Sequence, residues 1–244
     1  MKVLIIVPNY DNKSYVMPIG MMYVSSYLKH KGYNVNCLNL NHYNAEKLAN
    51  FLQEKTFDII ATGGMFTHIV NIRYVVESAK KYNPNARIVL GGPIASGDPE
   101  FIIDELKADY LVLGEGEATM DKLLQALKNG SNLNNCTGIA FKENGLFVKT
   151  PPTPLIEDLD QLPYPDYEGF DYECYIKNFT PKGKHLSSIL DISNRRRAAV
   201  ISSRDCVAKC TFCFRLMGGN FRLRSLENLF GEIKYLIEKY NINE

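Results

Sequence analysis

The feature that most constrains the fold is an alternation of short apolar runs with amphipathic helical patterns along residues 2–127. Each run is rich in Val, Ile or Leu, as strands buried on both faces of a parallel sheet are. Strands that alternate with helices are typical of a parallel sheet whose strands are joined by right-handed helical crossovers. The predicted strands are 2–7, 34–40, 59–62, 87–90 and 110–113.

The segments between these runs have the apolar spacing of helices packed on a sheet. We therefore predict an α/β fold, namely a flavodoxin-like (Rossmann-like) five-stranded parallel sheet with helices on both faces. The predicted helices are 19–31, 45–54, 69–82, 100–106 and 117–128.

Glycine-rich segments follow the third, fourth and fifth predicted strands, at the sheet edge where ligands bind in folds of this kind. Glycine lets the backbone approach a flat or bulky ligand closely. None of the segments matches a phosphate-binding fingerprint, so turn glycines without a ligand remain the alternative. The segments are Gly63-Gly64-Met65-Phe66-Thr67, Gly91-Gly92-Pro93 and Gly114-Glu115-Gly116-Glu117.

The composition changes after residue 149, where five prolines punctuate residues 151–165. A β-hairpin is predicted before this point, at 138–142 and 146–149, and the proline-rich stretch is predicted to be an extended linker. Ser225 is a suitable N-cap for a helix at 226–240. We therefore divide the chain into an α/β domain at 1–149, a linker region at 150–195 and the start of a second domain at 196–244.

Three of the six cysteines, Cys206, Cys210 and Cys213, are separated by three and then two residues. They follow the apolar run 198–202, which we predict to be a buried strand, so the thiols are expected on the loop at its end. Three thiolates leave one coordination position open, on zinc or on a four-iron cluster. The alternatives are a zinc knuckle completed by a distant histidine, of which His185 is the nearest upstream, and unrelated buried thiols.

Composition and charge argue against two classes of partner. The chain has 244 residues, is 45% apolar and carries a net charge of +1, so it can bury a sizeable core but has no strong field for nucleic acid or an anionic membrane. The N-terminal apolar run is too short for a signal sequence or a membrane span, which predicts a cytoplasmic protein with reduced thiols. Cys37, Cys136 and Cys174 lack ligand spacing and are predicted to be ordinary free cysteines.

The Cys-x3-Cys-x2-Cys pattern, with the aromatic Phe212 before its third cysteine, resembles the signature of the radical S-adenosylmethionine (SAM) superfamily. The resemblance implies that Cys206, Cys210 and Cys213 ligate a [4Fe-4S] cluster whose remaining iron is chelated by SAM. It implies that Phe212 lies near the adenine of SAM. It further implies that an electron donor such as flavodoxin or ferredoxin drives the cleavage of SAM to methionine and a 5'-deoxyadenosyl radical.

The glycine-rich loops resemble those of the cobalamin-binding (B12-binding) domain that precedes many radical SAM domains. The resemblance implies that cobalamin is contacted by Gly63, Gly64, Met65, Phe66, Thr67, Gly91, Gly92, Pro93, Gly114, Glu115, Gly116 and Glu117. Many such domains ligate cobalt through a histidine after the first strand, but residues 8–20 contain none, so cobalamin is expected to bind without a protein His axial ligand. We predict that His68 marks the start of a helix rather than a cobalt ligand.

Together the resemblances imply a cobalamin-dependent radical SAM enzyme with a small-molecule substrate, and we predict a methyltransferase. The alternatives are a radical SAM oxidative cyclase or rearrangement enzyme of the same architecture, a corrinoid-binding or sensing module without radical chemistry, and a radical SAM enzyme whose first domain is structural. Only one βα unit is predicted at the cysteines, where the family has several. The chain is therefore expected to contain a truncated start of the (β/α) partial barrel and to be inactive alone.

Overall fold

The computed structural model describes residues 1–10, 17–43, 45–179, 196–208, 210–213 and 220–244. The strands among these residues are β1 Lys2–Val7, β2 Asn34–Asn39, β3 Ile59–Gly63, β4 Arg87–Gly91, β5 Tyr110–Val112, β6 Ile139–Glu143, β7 Leu146–Lys149, β8 Ser203–Arg204 and β9 Arg222–Leu223. The helices are α1 Ile19–His30, α2 Ala45–Glu54, α3 Ile69–Tyr82, α4 Pro93–Gly97, α5 Pro99–Glu105, α6 Gly116–Asn129, α7 Tyr172–Phe179 and α8 Leu226–Tyr240. Single 3-10 turns occur at Phe66–His68, Leu133–Asn135 and Leu159–Gln161.

The first five strands form a parallel sheet in the order β2-β1-β3-β4-β5, which confirms the predicted flavodoxin-like topology. The predicted hairpin, β6 and β7, does not stand apart from this sheet. Strand β6 pairs antiparallel with β5, and β7 pairs with β6, so the sheet has seven strands. The backbone NH of Leu113 donates to the carbonyl of Gly138, 2.8 Å away, so the pairing continues where β5 ends.

Strand β1 shows how the sheet divides the core in two. Its residues Val3, Ile5 and Val7 pack in one buried cluster, whereas Leu4 and Ile6 pack in the other. Successive side chains of a strand point to opposite faces, so an uninterrupted apolar run is what a strand covered on both sides requires. Helices α2, α3 and α5 contribute to the second cluster, and α1 and α6 to the first.

The C-terminal part of the chain packs on the α1 and α6 side of the sheet. Leu236 and Tyr240 of α8 belong to the same buried cluster as β1 and α6. Tyr167 and Phe170, from the region predicted to be a linker, are almost completely buried in that cluster as well. The division of the chain at 149/150 and 195/196 stays a prediction.

The predicted strand at 198–202 is wrong. These residues have no strand structure, and the extended backbone begins only at β8, which pairs antiparallel with β9. A strand needs a neighbour for its backbone NH and carbonyl groups. In the part of the chain that the structure describes, β9 is the partner, and it is two residues long. The apolar composition of 198–202 therefore predicted a buried strand, but among the described residues no partner strand pairs with this segment.

No helix among the described residues combines the length and the apolar character that a membrane span requires.

Gly63, the last residue of β3, has no room for a side chain. A Cβ atom there would lie 2.1 Å from the carbonyl oxygen of Gly91, its partner on β4. We expect Gly63→Ala to lower the free energy of unfolding by about 1–3 kcal/mol, because the two strands must move apart. Gly20→Ala is the matched control, since nothing lies within 4 Å of a Cβ at this α1 position. Urea unfolding of both variants checks this, and equal stabilities would contradict it.

Asp166 ties the 163–171 region to α1. Its carboxylate accepts hydrogen bonds from Ser25 Oγ at 2.5 Å and pairs with Lys29 Nζ at 2.6 Å. Burial alone would raise the pKa of Asp166, but the bonds from Lys29 and Ser25 outweigh it and hold the pKa below its ordinary value. A carboxyl with a lowered folded-state pKa stabilises the fold above its unfolded pKa, and this stabilisation is lost as the pH falls through the folded value.

We therefore expect Asp166→Asn to lower the urea midpoint at pH 7, and the gap from wild type to narrow below about pH 4. The matched control is Asp104→Asn, which removes an exposed carboxylate paired with Lys142 and should change neither value by much. A gap for Asp166→Asn that stays constant from pH 7 to pH 3 would show that the carboxylate charge is not what stabilises this contact.

Candidate functional site

The structure brings the three glycine-rich loops together at the carboxyl edge of the parallel strands. Gly63 and Gly91 are register partners at the ends of β3 and β4. The backbone NH of Ile94, at the start of α4, donates to the carbonyl of Gly64 at 2.9 Å. The NH of Gly114 donates to Ser96 Oγ at 3.2 Å, which joins the loop after β5 to α4. The three loops therefore lie next to each other, as the sequence predicts.

All three loops turn in backbone conformations that favour glycine, and in the loop after β3 Gly64 has φ of 150°. Gly92 has φ of 78° and Gly114 has φ of 73°. At Gly92 a Cβ atom would come within 3.4 Å of the Gly64 nitrogen, whereas at Gly114 it would meet nothing within 4 Å. The open space beside Gly114 means that its backbone is accessible at this edge. Pro93 follows Gly92 and begins α4.

The loop after β3 exposes apolar side chains beside the glycines. Met65 and Phe66 are about half exposed, at 53% and 54%, and Thr67 is exposed next to them. The ring of His68 lies 4.3 Å from that of Tyr10, centroid to centroid, and burial lowers the pKa of His68, which favours a neutral imidazole. Among the described residues, no hydrogen-bond partner faces the buried Nδ1 of His68.

His68 occupies the N-cap position of α3, as predicted, but its side chain makes no capping hydrogen bond. Glycine backbone beside exposed apolar side chains forms a surface that fits a large, flat ligand. The residues of this edge therefore fit a corrinoid.

The carboxylates of Glu115, which is the N-cap of α6, and Glu117, in the first turn of α6, do not face open space. Arg204 Nη1 donates to Glu115 at 2.9 Å and its Nη2 to Glu117 at 2.5 Å. Arg222 Nη1 donates to the other oxygen of Glu115 at 3.0 Å. Burial opposes ionisation of Glu115, but hydrogen bonds from Arg222, the Ile156 NH and Arg204 outweigh it and lower its pKa.

Sequence reasoning missed Arg204 and Arg222. Arg204 lies two residues before the first cysteine of the motif, and Arg222 follows the motif, so neither lies near the glutamates in the chain. No local pattern in the sequence relates these arginines to Glu115 and Glu117, so sequence reasoning had no signal that could have found them.

The cysteine loop begins directly after β8. Cys206, Cys210 and Cys213 are all exposed, so the alternative of unrelated buried thiols does not hold. Asp205, just before the first cysteine, has φ of 67° and turns the chain out of β8. Phe212 is 91% exposed and packs little against the described residues.

The three sulfurs are not gathered by the fold alone. Among the described residues, the one set of three potential ligand atoms within 4.8 Å of each other belongs to His42, Asp171 and Cys174. Asp171 also lies at the N-cap position of α7, where its Oδ1 accepts a hydrogen bond from the NH of Cys174 at 3.4 Å. Helix capping therefore explains why two of these three groups meet.

Exposed thiols on one loop are nevertheless the donor set that an iron-sulfur cluster uses, and nothing among the described contacts commits all three to another role. Cys206 Sγ accepts from the Ala208 NH at 3.4 Å, and the Cys213 NH donates to the Cys210 carbonyl at 3.2 Å. The residues fit a cluster in type and accessibility. His185, the ligand of the zinc-knuckle alternative, lies outside the described residues.

Residues 9–124 match the family model of the B12 binding domain. The chain is 28% identical over 232 residues to an uncharacterized methyltransferase of Pyrococcus horikoshii, covering 93% of this chain and 47% of that protein. It is 26% identical over 256 residues to the anaerobic magnesium-protoporphyrin IX monomethyl ester cyclase of Cereibacter sphaeroides, covering 99% of this chain and 39% of the cyclase. The chain thus spans about half or less of these relatives.

Among solved structures, the fold is similar to that of the cobalamin-dependent S-adenosylmethionine radical enzyme OxsB with aqua-cobalamin and S-adenosylmethionine bound. The TM-score is 0.80 at 19% identity, over 99% of this chain and 32% of OxsB. Fold and site define an α/β protein of the B12-binding class, joined to a three-cysteine loop. Residues 9–124 of the chain are a B12 binding domain, and nearly the whole chain is similar to the relatives and to the solved structure described above.

Proposed function

We propose that the whole protein is a cobalamin-dependent radical SAM enzyme and that it methylates a small-molecule substrate. The observation that carries the proposal is that the glycine-rich edge of the sheet and the cysteine loop are joined by direct contacts within one fold. The three glycine-rich loops meet at the sheet edge, and Glu115 in one of them is bonded to Arg204, two residues before the first cysteine. When bound, cobalamin would supply methyl transfer, and the cluster with SAM would supply a radical.

In this proposal the chain's own residues bind and orient the two groups. Cys206, Cys210 and Cys213 would hold the cluster, and Phe212, which is highly exposed, would lie near the adenine of SAM. The loops of 63–67, 91–93 and 114–117 would hold the corrinoid. Glu115 and Glu117 would contact it through their backbone, since their carboxylates are occupied by arginines. His68 lies beside the loops without ligating cobalt.

The experiment is a titration of the chain with hydroxocobalamin, followed by gel filtration. We expect the corrinoid to coelute with the protein in a stoichiometric amount. A folded chain that passes through the column without corrinoid would overturn the cobalamin part of the proposal and favour a cobalamin-independent radical SAM enzyme, in which the first domain is structural.

A matched pair of variants locates the corrinoid on the protein. Met65→Glu places a charge on the loop after β3, and we expect it to weaken hydroxocobalamin binding about tenfold, since it removes apolar contact from the ligand. Leu146→Glu makes the same kind of change at a more exposed apolar residue of the β6–β7 hairpin and should leave the affinity unchanged. Equal affinities for both variants would place the corrinoid elsewhere.

The second candidate is a radical SAM cyclase or rearrangement enzyme of the same architecture. The similarity to the protoporphyrin ester cyclase of Cereibacter sphaeroides over 99% of this chain favours it. Transfer of a labelled methyl group from SAM to product would support the methyltransferase, and its absence during turnover would support the cyclase. A cluster-loaded whole protein that cleaves no SAM would leave only a corrinoid-binding or sensing module.

The remaining proposals concern the setting of the reaction. A flavodoxin or ferredoxin would reduce the cluster, in a cytoplasm where the exposed thiols stay reduced. Neither nucleic acid nor a membrane is proposed as a partner.

A further inference from the structure

A group of five charged side chains connects the loop after β5 with the two stems of the cysteine loop. On one side are Glu115 and Glu117, and on the other are Arg204, Asp205 and Arg222. The side chains are 4–12% exposed, so the charges are largely removed from water. We call this group the loop clamp.

Arg204 is held from three directions at the entry to the cysteine loop. Its guanidinium donates to Glu115 and Glu117 and lies over the ring of Tyr23 on α1, 5.1 Å from the ring centroid. A guanidinium fixed by two carboxylates and an aromatic face has one orientation, since its donors form a rigid planar fork. The backbone two residues before Cys206 is therefore anchored to the loop after β5.

Arg222 performs the same role at the exit of the loop. It donates to Glu115 at 3.0 Å and to the Ile156 carbonyl at 2.7 Å, and its Nη2 lies 3.5 Å from Asp205, the residue that precedes Cys206. Arg204 and Arg222 are also register partners in the β8–β9 pair. Both stems of the loop are thus fastened to one carboxylate, that of Glu115.

A buried ion pair contributes little net stability compared with an apolar contact of the same size, but it requires one geometry. The clamp sits directly after Gly114, whose backbone is open at the sheet edge. The loop proposed to face the corrinoid and the loop proposed to hold the cluster are therefore two parts of one rigid unit. This arrangement suits an enzyme in which two cofactors must keep a set distance.

We infer that Glu115, Glu117, Arg204 and Arg222 are positioning residues, which hold the cysteine loop at a defined place beside the loop after β5 and do not themselves bind either cofactor through their side chains. The inference rests on the proposed function, because it assigns these residues a role toward the cluster and the corrinoid. It differs from a general stabilising role in what it predicts for the cysteine loop.

The first measurement needs no cofactor. Hydrogen exchange is followed by mass spectrometry on the peptides that contain β8 and β9, in wild type and in Glu117→Gln and Arg204→Met. We expect these peptides to exchange about tenfold faster or more in both variants, because the stems are released from the loop after β5. The control is Arg73→Gln, which breaks an exposed pair with Glu105 and should leave the exchange unchanged.

The second measurement separates positioning from general stability. Val76→Ala removes buried volume from α3, in the second core cluster, to which α2, α3 and α5 contribute. It should lower the unfolding midpoint about as much as Glu117→Gln and Arg204→Met do. The EPR spectrum of the reduced cluster, with and without SAM, is recorded for the cluster-loaded whole protein. We expect Glu117→Gln and Arg204→Met to alter the SAM-induced change in the spectrum and Val76→Ala to leave it as in wild type.

The third measurement is the affinity for hydroxocobalamin. An Arg204→Met variant that binds within twofold of wild type supports the inference, since Arg204 lies outside the loops proposed to face the corrinoid. A loss of tenfold or more would mean that Arg204 contacts the corrinoid and would overturn it, as would unchanged exchange of β8 and β9. If the proposed function itself is wrong, the result is different: the wild-type protein binds neither corrinoid nor cluster.

Discussion

Glu232→Ala is expected to cost about 3–5 kcal/mol of folding stability. Glu232 lies on α8, is fully buried and pairs with Arg224, which is itself 8% exposed. Its other carboxylate oxygen accepts from the Tyr167 hydroxyl at 2.5 Å. Removal of the carboxylate leaves a buried guanidinium without its counter-charge and a buried hydroxyl without its acceptor.

The loss is large because Arg224 cannot move into water. Its remaining donors are bonded to the Ile201 carbonyl at 2.9 Å and to Asn228 Oδ1 at 2.8 Å, which hold the guanidinium in place. An unpaired buried charge costs more than the pair contributed, since the desolvation penalty is no longer offset. Urea unfolding at pH 7 measures the effect, as a lower midpoint at an unchanged dependence on denaturant.

Two further variants make this result specific. Glu238→Ala, on the same helix, breaks an exposed pair with Lys234 and should cost at most about 0.5 kcal/mol. Arg224→Met combined with Glu232→Leu removes both charges, and we expect it to recover much of the loss, since an apolar pair of similar volume replaces a desolvated one. A Glu232→Ala protein as stable as Glu238→Ala would contradict the proposed burial of the pair.

The sheet was predictable because its strands are buried on both faces. In an apolar run such as 2–7, a strand conformation places alternate side chains in the two core clusters on opposite faces of the sheet. The observed bounds of β1 agree with the prediction. The pairing of the hairpin with β5 was not predictable, since the apolar pattern of 139–143 says that one face is buried and not which edge it joins. The run 198–202 failed for a related reason, because composition does not supply a partner strand.

The candidate site was predicted in parts. Gly63, Gly91 and Gly114 could be placed together because the carboxyl ends of parallel strands share one edge. The bond between Arg204 and Glu117 could not be predicted, since 87 residues separate them and no local pattern relates them. Helix α7 was not predicted, because the sequence around Tyr172 is rich in tyrosine and irregular in pattern. The burial of these residues depends on packing with Tyr240.

Alanine replacement of Cys206, Cys210 or Cys213 is expected to abolish the iron and sulfide uptake of the reconstituted whole protein. Wild type should retain about four irons per chain, and each variant close to none, since every iron held by a cysteine thiolate depends on that ligand. The fold itself should be unaffected, because the three side chains are exposed and bury little apolar surface. Iron content, sulfide content and the urea midpoint are measured on the same samples.

The other cysteines provide the matched controls for this experiment. Cys136→Ala removes a buried thiol of the core, and Cys37→Ser replaces a thiol that lies 3.2 Å from Ser25 Oγ. Both should keep full iron while losing some stability, the reverse of the loop variants. Wild type that binds zinc in place of iron, and loses it in the three loop variants, would identify a zinc site. Iron retained by all three loop variants would show that the thiols of this loop are not its ligands, and with them the radical SAM proposal would fall.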